Sequence, residues 1–491
     1  MKLSAFKLAL VFSVLIIILS LCCTEKEQEA AKTTVKETTK KETDPNVVAK
    51  IGDYTIKKEE LEIRLMRELR PSPYEPRPKN YIPDANSVLM KMIAEKAMVI
   101  EAREQNLQED ETIQKVLKQF KEKRLVNLLL MNHLQGKINI TDAEIDEKIK
   151  SDPKLDRERA KAFLAREKSG VIINQYYDEL YKRFNVQKKK ENFYTTAQIH
   201  QRLLFNPKEP RKAVFIRIKQ VENELTPQEK SIVLATYDKG TITLKDWFDA
   251  LTELSPPSRP RDLHTPQGVE RLLDRALRMP IFVKEAILYG FDKDEKLLKQ
   301  VRDYVDNLLL NKAMREKTKD IKGPIPDEQI IDYFNKNKEE FGIQNIVKID
   351  QIWCQDLDTA RKVKADLENS MNFEVAKQSY SLEKKSVPYN TSSSSEGMFF
   401  EELWASEPNN VVGPIKGFYR EGIKWRIVKI LEKTPAKTAE YSDDMKRRVE
   451  MKMMEIKRSE ALAKYRKELL EKYSYEIYAD KIKDIDPLDI Q

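Results

Sequence analysis

The chain has 491 residues, enough for two to four domains, and its 35 % of charged residues with only 12 glycines favours long charged helices over a glycine-rich sheet protein. Its 89 basic and 81 acidic residues leave a net charge of +8 and are interleaved along helical stretches, which indicates solvated helix faces rather than a nucleic-acid-binding stripe. The three cysteines exclude a disulfide framework and a Cys-based zinc site, and the three histidines have no ligand spacing, so no metal site is predicted.

The N-terminal residues 1–23 are predicted to be a lipoprotein signal peptide. Lys2 and Lys7 precede an apolar run from Leu8 to Leu21, which has the form of a secretory signal and is short for a membrane span. The run ends in LSLCC, which resembles the lipobox of bacterial lipoproteins. That resemblance implies lipidation of Cys23, with Cys22 as the alternative, and an uncleaved signal anchor remains a second interpretation.

Residues 24–46 contain almost no apolar side chains and mix Lys, Glu and Thr, so they are predicted to be a disordered tether. No stretch after the signal is apolar enough to span a bilayer. The signal, the cysteine and the tether together predict a lipid-anchored protein of the bacterial cell envelope that faces the periplasm or the cell exterior.

The body of the chain contains an internal repeat. VAKIGDYTIKKEEL, from Val48, and LATYDKGTITLKDW, from Leu234, share one pattern with a constant offset of 186 residues. ITDAEIDEKI, from Ile140, matches IPDEQIIDYF, from Ile325, at an offset of 185, and in both a helix is expected to start at the Asp. Ordered matches at a near-constant offset predict a duplicated helical framework.

The offset then breaks. YYDELYKRFNV, from Tyr176, and its partner YRKELLEKYSY, from Tyr465, are 289 residues apart, so about 104 extra residues are inserted in the second copy. We expect the first copy to close on itself over residues 47–188. The other predicted segments are a linker with some strand, including KAVFIRIKQV, at 189–231, the first part of the second repeat at 232–340, the inserted module at 341–435 and a closing helix with a tail at 436–491.

The residue pattern of the inserted module differs from that of the helices around it. Val347–Gln355 is strand-like, Thr359–Ser381 is helical, Ser386–Gly397 is loop-like, and VVGPIKG and KWRIVKILEK are predicted to be paired closing strands. This order describes a small α+β domain. The predicted fold class is therefore mainly α with one small α+β domain.

These motifs resemble known families. FNKNKEEFGIQNIVKIDQIW, LENSMNFEVAKQSYS, NNVVGPIKG and RIVKILE resemble the parvulin domain of peptidyl-prolyl cis-trans isomerases. The repeated VAKIGDYTIKKEEL and the helices around it resemble the N-terminal chaperone domain of the SurA/PrsA group of extracytoplasmic foldases. The resemblance implies a duplicated SurA-like helical framework whose second copy carries a parvulin-like domain.

The parvulin-like segment departs from the family pattern at its two histidines. The strand that reads HIL in the family reads Gln351-Ile352-Trp353, and the strand that reads HII reads Arg426-Ile427-Val428. The resemblance places the family's acid near Glu383. It therefore implies Glu383 and Gln351 as candidate catalytic residues. The candidate residues for a proline or peptide slot are Met398, Phe399, Phe400, Leu403 and Trp404. In the competing interpretation these aromatic residues form the domain's own core.

The function implied is that of an envelope chaperone whose partners are unfolded exported proteins and proline-containing peptides, with no nucleic acid, no metal and no cofactor. Two alternatives remain, an active lipoprotein prolyl isomerase and an assembly-scaffold lipoprotein with one dedicated partner. Cys354, beside Trp353, is predicted to be a small buried apolar residue rather than a reactive thiol.

Overall fold

A computed structural model describes residues 44–72, 81–205, 215–420 and 422–490 of the chain. The predicted signal peptide, Cys22, Cys23 and nearly all of the predicted tether lie outside the described residues. The chain divides into two compact units: Gln108–Asn307 form one, and the residues before and after that range form the other. Within the described part, no helix combines the length and apolarity that a membrane span requires.

The helices and strands are numbered here in chain order. The helices are α1 Lys58–Leu69, α2 Ala85–Glu104, α3 Glu111–Leu134, α4 Asp142–Ser151, α5 Arg157–Arg183, α6 Phe193–Leu204, α7 Ile218–Glu224, α8 Pro227–Lys230, α9 Leu244–Glu253, α10 Pro266–Leu288, α11 Glu295–Thr318, α12 Asp327–Lys336, α13 Lys338–Phe341, α14 Leu357–Glu368, α15 Phe373–Tyr380, α16 Ser393–Glu396, α17 Phe400–Ala405 and α18 Asp443–Lys472. The strands are β1 Val47–Ile51, β2 Tyr54–Lys57, β3 Gln187–Lys188, β4 Val233–Tyr237, β5 Gly240–Thr243, β6 Ile346–Trp353, β7 Tyr389–Ser392, β8 Val411–Tyr419, β9 Gly422–Thr434 and β10 Tyr475–Ile477. The predicted class, mainly α with a small α+β domain, is confirmed.

The two sequence repeats begin with the same hairpin. In β1–β2, Ala49 pairs with Ile56, and in β4–β5 Ala235 pairs with Ile242. Each hairpin also has a register shift at the same place, two residues before that alanine. An identical irregularity at the same offset is what a duplication produces, because the bulge is set by the local sequence.

The copies exchange their closing strands. The hairpin β1–β2 pairs with β10, which comes from the end of the second copy, and Ala49 lies opposite Ile477. The hairpin β4–β5 pairs with β3, from the end of the first copy, and Ala235 lies opposite Lys188. The expectation that the first copy closes on itself over residues 47–188 is therefore not met: each three-stranded sheet is completed by a strand of the other copy.

The segment 189–231 is helical where it is described, and it contributes to a core. Its helices are α6, α7 and α8, and residues Ile218–Glu224 are helical where the alternation in KAVFIRIKQV had suggested a strand. Phe193, Leu203 and Val221 are buried in the same cluster as Trp247 of α9. The apolar residues of this segment lie on one helical face. Packing against α9 and α10 therefore selects the helical period of 3.6 residues over the strand period of two.

The other unit contains two helical clusters besides the inserted module. One joins the hairpin β1–β2 and α2 to the C-terminal half of α18, with Ile56, Leu89 and Leu469 buried together. The second joins α12 and α13 to the N-terminal half of α18, with Phe334 and Val449 at its centre. The long helix α18 therefore leads from the module back to the hairpin of the first copy.

The inserted module is a four-stranded antiparallel sheet of order β7–β6–β9–β8. The predicted strand at Val347–Gln355 and the two closing strands are present as β6, β8 and β9, and the predicted helix is split into α14 and α15. The predicted loop Ser386–Gly397 contains the edge strand β7 and the short helix α16. One face of the sheet packs on α14 and α15, and the other carries α17.

Candidate functional site

The two strands at the centre of the module bring together the positions that depart from the parvulin pattern. In the register of β6 with β9, Trp353 lies opposite Arg426 and Gln351 lies opposite Val428. The side chains of Gln351 and Arg426 point to the same face, and Arg426 Nη1 donates to Gln351 Oε1 at 3.0 Å. Gln351 and Arg426 are therefore direct neighbours, as two strand residues on one face must be when their strands pair at this register.

Arg426 forms a buried ion pair with Glu396 at the end of α16. Arg426 Nη2 lies 2.6 Å from Glu396 Oε2, and the two side chains are 1 % and 6 % exposed. Thr391 Oγ1 donates to Glu396 Oε1 at 2.9 Å, and the guanidinium lies 5.1 Å from the Trp353 ring centroid. A buried charge is tolerated only when it is paired and hydrogen-bonded, and these contacts meet that condition.

The strand β8 makes room for this guanidinium. Gly417 lies directly against Arg426, and a Cβ at that position would collide with the guanidinium atoms. On the other side, Gln351 Nε2 lies 3.0 Å from the hydroxyl of Tyr389 on β7. Burial raises the pKa of Tyr389, and the negative charge of Glu396 raises this pKa further. Gln351, Tyr389, Glu396 and Arg426 thus form one connected polar network.

A second buried pair lies on the opposite face of β6. Lys377 of α15 places Nζ 2.5 Å from Asp350 Oδ1, with both side chains nearly inaccessible to solvent. Successive residues of a strand point to opposite faces, so Asp350 faces α15 while Gln351 faces the network. This pair fastens α15 to the sheet.

Three of the five predicted slot residues lie in the core of the module. Phe400 and Leu403 are buried with Val428 and Ile430, and Trp404 packs against the same cluster. Phe400 and Trp404 stack with ring centroids 6.2 Å apart. These residues follow a helical face of α17 that covers the sheet, so they are not available to line an open slot in this conformation.

The other two predicted slot residues precede α17. Phe399 is buried and packs edge-on against Phe418 of β8 with ring centroids 5.1 Å apart. Met398, like Trp404, is half-buried, so these two are the members of the predicted set that are not fully buried.

Glu383, the predicted acid, lies in the turn after α15. Its backbone N–H donates to Ser381 Oγ at 3.1 Å, and its side chain is half-buried. Within the described residues, no hydrogen bond joins its carboxylate to Gln351. The carboxylate that contacts Arg426 beside Gln351 is that of Glu396, whereas the charge of Glu383 acts on Tyr389, the hydrogen-bond partner of Gln351.

Sequence reasoning missed Arg426, Glu396 and Tyr389 as members of one site. The segment KWRIVKI did contain a signal. Arg426 lies within an apolar strand, where its side chain is expected to be buried, and a buried guanidinium requires an acidic partner. The partner itself could not be read from the sequence, since Glu396 lies 30 residues earlier in a serine-rich segment.

Cys354 is buried, as predicted. Burial, with a smaller contribution from Asp356, raises the pKa of its thiol to about 12, so it is held in the unreactive protonated form. In the described ranges, no group of three or more His, Cys, Asp or Glu side chains is arranged to hold a metal ion.

Solved structures similar to this chain are SurA-like chaperones and PrsA foldases. A SurA-like chaperone of Campylobacter jejuni is 13 % identical, with a TM-score of 0.24, and the match covers 49 % of this chain and 97 % of that one. The foldase PrsA of Streptococcus pneumoniae is 16 % identical, with a TM-score of 0.24 and coverage of 41 % and 76 %. PrsA of Bacillus subtilis is 16 % identical, with a TM-score of 0.15 and coverage of 64 % and 88 %.

No protein-family model matches the chain, and no curated protein matches it. With TM-scores this low, the superpositions carry no argument about function.

Proposed function

We propose that the protein is a lipid-anchored, extracytoplasmic chaperone that binds unfolded exported proteins, and that its parvulin-like module binds polypeptide without catalysing prolyl isomerisation. The observation that supports a module without isomerase activity is the buried ion pair of Arg426 and Glu396 beside Gln351. A permanently charged guanidinium whose partner is already in place occupies one family histidine position, and an amide occupies the other.

Isomerisation of an X–Pro bond requires an apolar slot for the ring and a polar surround that favours the twisted amide over the planar one. In this module the aromatic residues of α17 pack on the core, and Gln351, Glu396 and both terminal nitrogens of Arg426 are already engaged in hydrogen bonds within the network. Both features favour a binding role over turnover.

The chaperone role is supported by exposed apolar side chains on the helical framework. At the end of α10, Ile287 and Leu288 are 49 % and 67 % exposed, and Phe205 at the end of α6 is 66 % exposed. Adjacent exposed apolar residues are typical of surfaces that bind other polypeptides.

Two assays on the same preparations test this function. We expect the chain to suppress aggregation of several unrelated unfolded proteins, and a tetrapeptide isomerisation assay to give the uncatalysed rate. Ile287→Ser with Leu288→Ser should weaken the suppression, whereas Val171→Ser, which changes one isolated exposed residue of α5, should leave it unchanged.

The outcomes separate the alternatives. An isomerisation rate above background that falls in a Glu383→Ala/Trp404→Ala variant would establish an active enzyme and contradict the proposal. Suppression restricted to a single client would favour a dedicated assembly scaffold. Suppression of several clients that is unaffected by the Ile287/Leu288 change would place client binding elsewhere on the chain.

The anchor is tested at the two adjacent cysteines. Mass spectrometry of the protein from a bacterial membrane fraction is expected to find acyl chains on Cys23, and Cys23→Ser should release the protein from the membrane. The matched change Cys22→Ser should leave it attached. The reverse pattern would assign the anchor to Cys22, and retention of an intact N-terminus in both variants would indicate a signal anchor.

A further inference from the structure

One face of the parvulin-like module is occupied by a dipeptide of the chain itself. Helix α1 ends at Leu69, and the next residue, Arg70, turns into extended backbone with φ −68° and ψ 138°. Arg70 and Pro71 then lie on the rim formed by Gly397, Phe418 and the backbone carbonyls of Arg420 and Gly422.

The guanidinium of Arg70 contacts both an aromatic ring and backbone carbonyl oxygens on this rim. Its guanidinium carbon lies 5.1 Å from the centroid of the Phe418 ring. Its Nη2 donates to the backbone carbonyl of Arg420 and lies 3.5 Å from the carbonyl oxygen of Gly422. The face of an aromatic ring and two carbonyl oxygens all favour a cation at this place.

The proline ring occupies the adjoining place. Pro71 Cγ lies 3.0 Å from the position that a Cβ would take at Gly397, and Phe418 Cε2 lies 3.7 Å from that same position. Gly397 has φ +54°, a conformation that favours glycine. Because it has no side chain, space remains for the pyrrolidine ring of Pro71. Phe399, which packs edge-on against Phe418, supports this wall from behind.

We propose that this face is a recognition site for a basic residue followed by proline in an unfolded polypeptide, and that Arg70–Pro71 is its resident occupant. The inference rests on the proposed peptide-binding role of the module. The cation site and the ring site adjoin, and Arg70–Pro71 occupies them with the basic residue first and the proline second. A client segment must displace the connector, that is, residues Arg70–Pro71. The apparent affinity for the client is therefore reduced in proportion to the fraction of time for which the face is free.

The test uses the full chain and two labelled peptides. The probe is ELRPSPY, the sequence of residues 68–74, and the control is ELAASPY. We expect Arg70→Ala with Pro71→Ala to bind the probe about tenfold more tightly than the unaltered chain, as it would if the connector occupied the face nine-tenths of the time. Neither protein should bind the control peptide comparably.

Phe418→Leu in the Arg70→Ala/Pro71→Ala background should weaken probe binding about tenfold, because it keeps an apolar side chain but removes the ring that faces the cation. Circular dichroism checks that each variant is folded. Equal probe binding by the unaltered chain and the double variant, equal binding of the two peptides, or an unchanged affinity after Phe418→Leu would each overturn the proposal.

A second measurement needs no substitution. Excess ELRPSPY, but not ELAASPY, should speed hydrogen exchange at the amide of Ser72 in the unaltered chain, because the connector leaves the face when the probe takes its place. Unchanged exchange at saturating probe would overturn the proposal. Aggregation suppression measured on the same variants separates this inference from the general function: suppression that persists while these tests fail overturns the dipeptide site alone.

Discussion

The Gln351–Arg426–Glu396 network shows how one charged residue imposes requirements on its surroundings. Arg426 is almost completely buried, so it needs the carboxylate of Glu396, the amide oxygen of Gln351 and the open space at Gly417. Removing one partner of such a pair leaves an uncompensated buried charge, which costs more than removing both. The network therefore acts as a unit in stability.

A double-mutant cycle tests that unit. We expect Glu396→Gln to lower the free energy of unfolding by about 3 kcal/mol, and Arg426→Met to have an effect of similar size, because each leaves one buried charge unpaired. The double variant should lose clearly less than the sum of the two single changes. Urea denaturation followed by circular dichroism measures all four proteins, and additive losses would show that the two charges do not interact.

His200 of α6 is a buried histidine with a different consequence. It is 7 % exposed, lies edge-on to Trp247 with ring centroids 6.0 Å apart, and within the described residues its Nδ1 has no hydrogen-bond partner. Burial, with smaller electrostatic contributions from His264 and Arg259, lowers the pKa of His200 to about 4. The fold therefore holds this imidazole in its neutral form at pH 7.

This environment predicts a pH dependence of stability. The unfolded chain binds a proton at His200 near pH 6.5 and the folded chain only near pH 4, so the unfolded state gains more from acid between these values. Lowering the pH from 7 to 5 should cost about 2 kcal/mol of unfolding free energy through this residue. His200→Phe should remove that part of the slope in urea denaturation. An unchanged slope would show that His200 does not carry it.

At the scale of elements, the two hairpins are equivalent, but their third strands are exchanged. β1–β2 and β4–β5 share their register and their bulge, so a closing strand from either copy fits either hairpin by local pairing alone. The choice is made by the long helices α5 and α18, which carry β3 and β10 to the hairpin of the other copy. A hairpin without its third strand leaves an unpaired edge and is marginally stable.

Fragments distinguish exchange from self-closure. We expect a fragment of residues 108–318, which contains β3, β4 and β5, to unfold cooperatively in urea. A fragment of residues 44–188, one full sequence copy, should not, because its β1 lacks β10 and its β3 lacks β4. Circular dichroism at increasing urea concentrations measures both. A cooperative transition in the 44–188 fragment would contradict the exchanged arrangement as a requirement for folding.

In the whole molecule, the duplicated framework and the inserted module provide different kinds of surface. The helical framework provides exposed apolar positions on α6 and α10, whereas the module provides a compact sheet with a rim that holds a basic residue and a proline. The insertion lies between α13 and α18, so the chain leaves the framework and returns to it through one long helix. Under the proposed function, one chain would carry two kinds of polypeptide-binding surface.

The repeat and the place of the insertion could be read from the sequence, because a near-constant offset and its break require no contact information. Strands β6, β8 and β9 of the module follow from local periodicity, whereas β7 and α16 lie in a segment predicted to be a loop. The loss of both family histidines was also readable, since it concerns only which residues are present.

Only the tertiary structure decided which copy completes which sheet, which acid pairs with Arg426, and whether the aromatic residues of α17 line a slot or fill a core. Two equivalent hairpins compete for two closing strands, and Glu383 and Glu396 are both acids in polar segments near the module's strands. In each case the local sequence allows more than one partner, and long-range packing and the cost of burying an unpaired charge select among them.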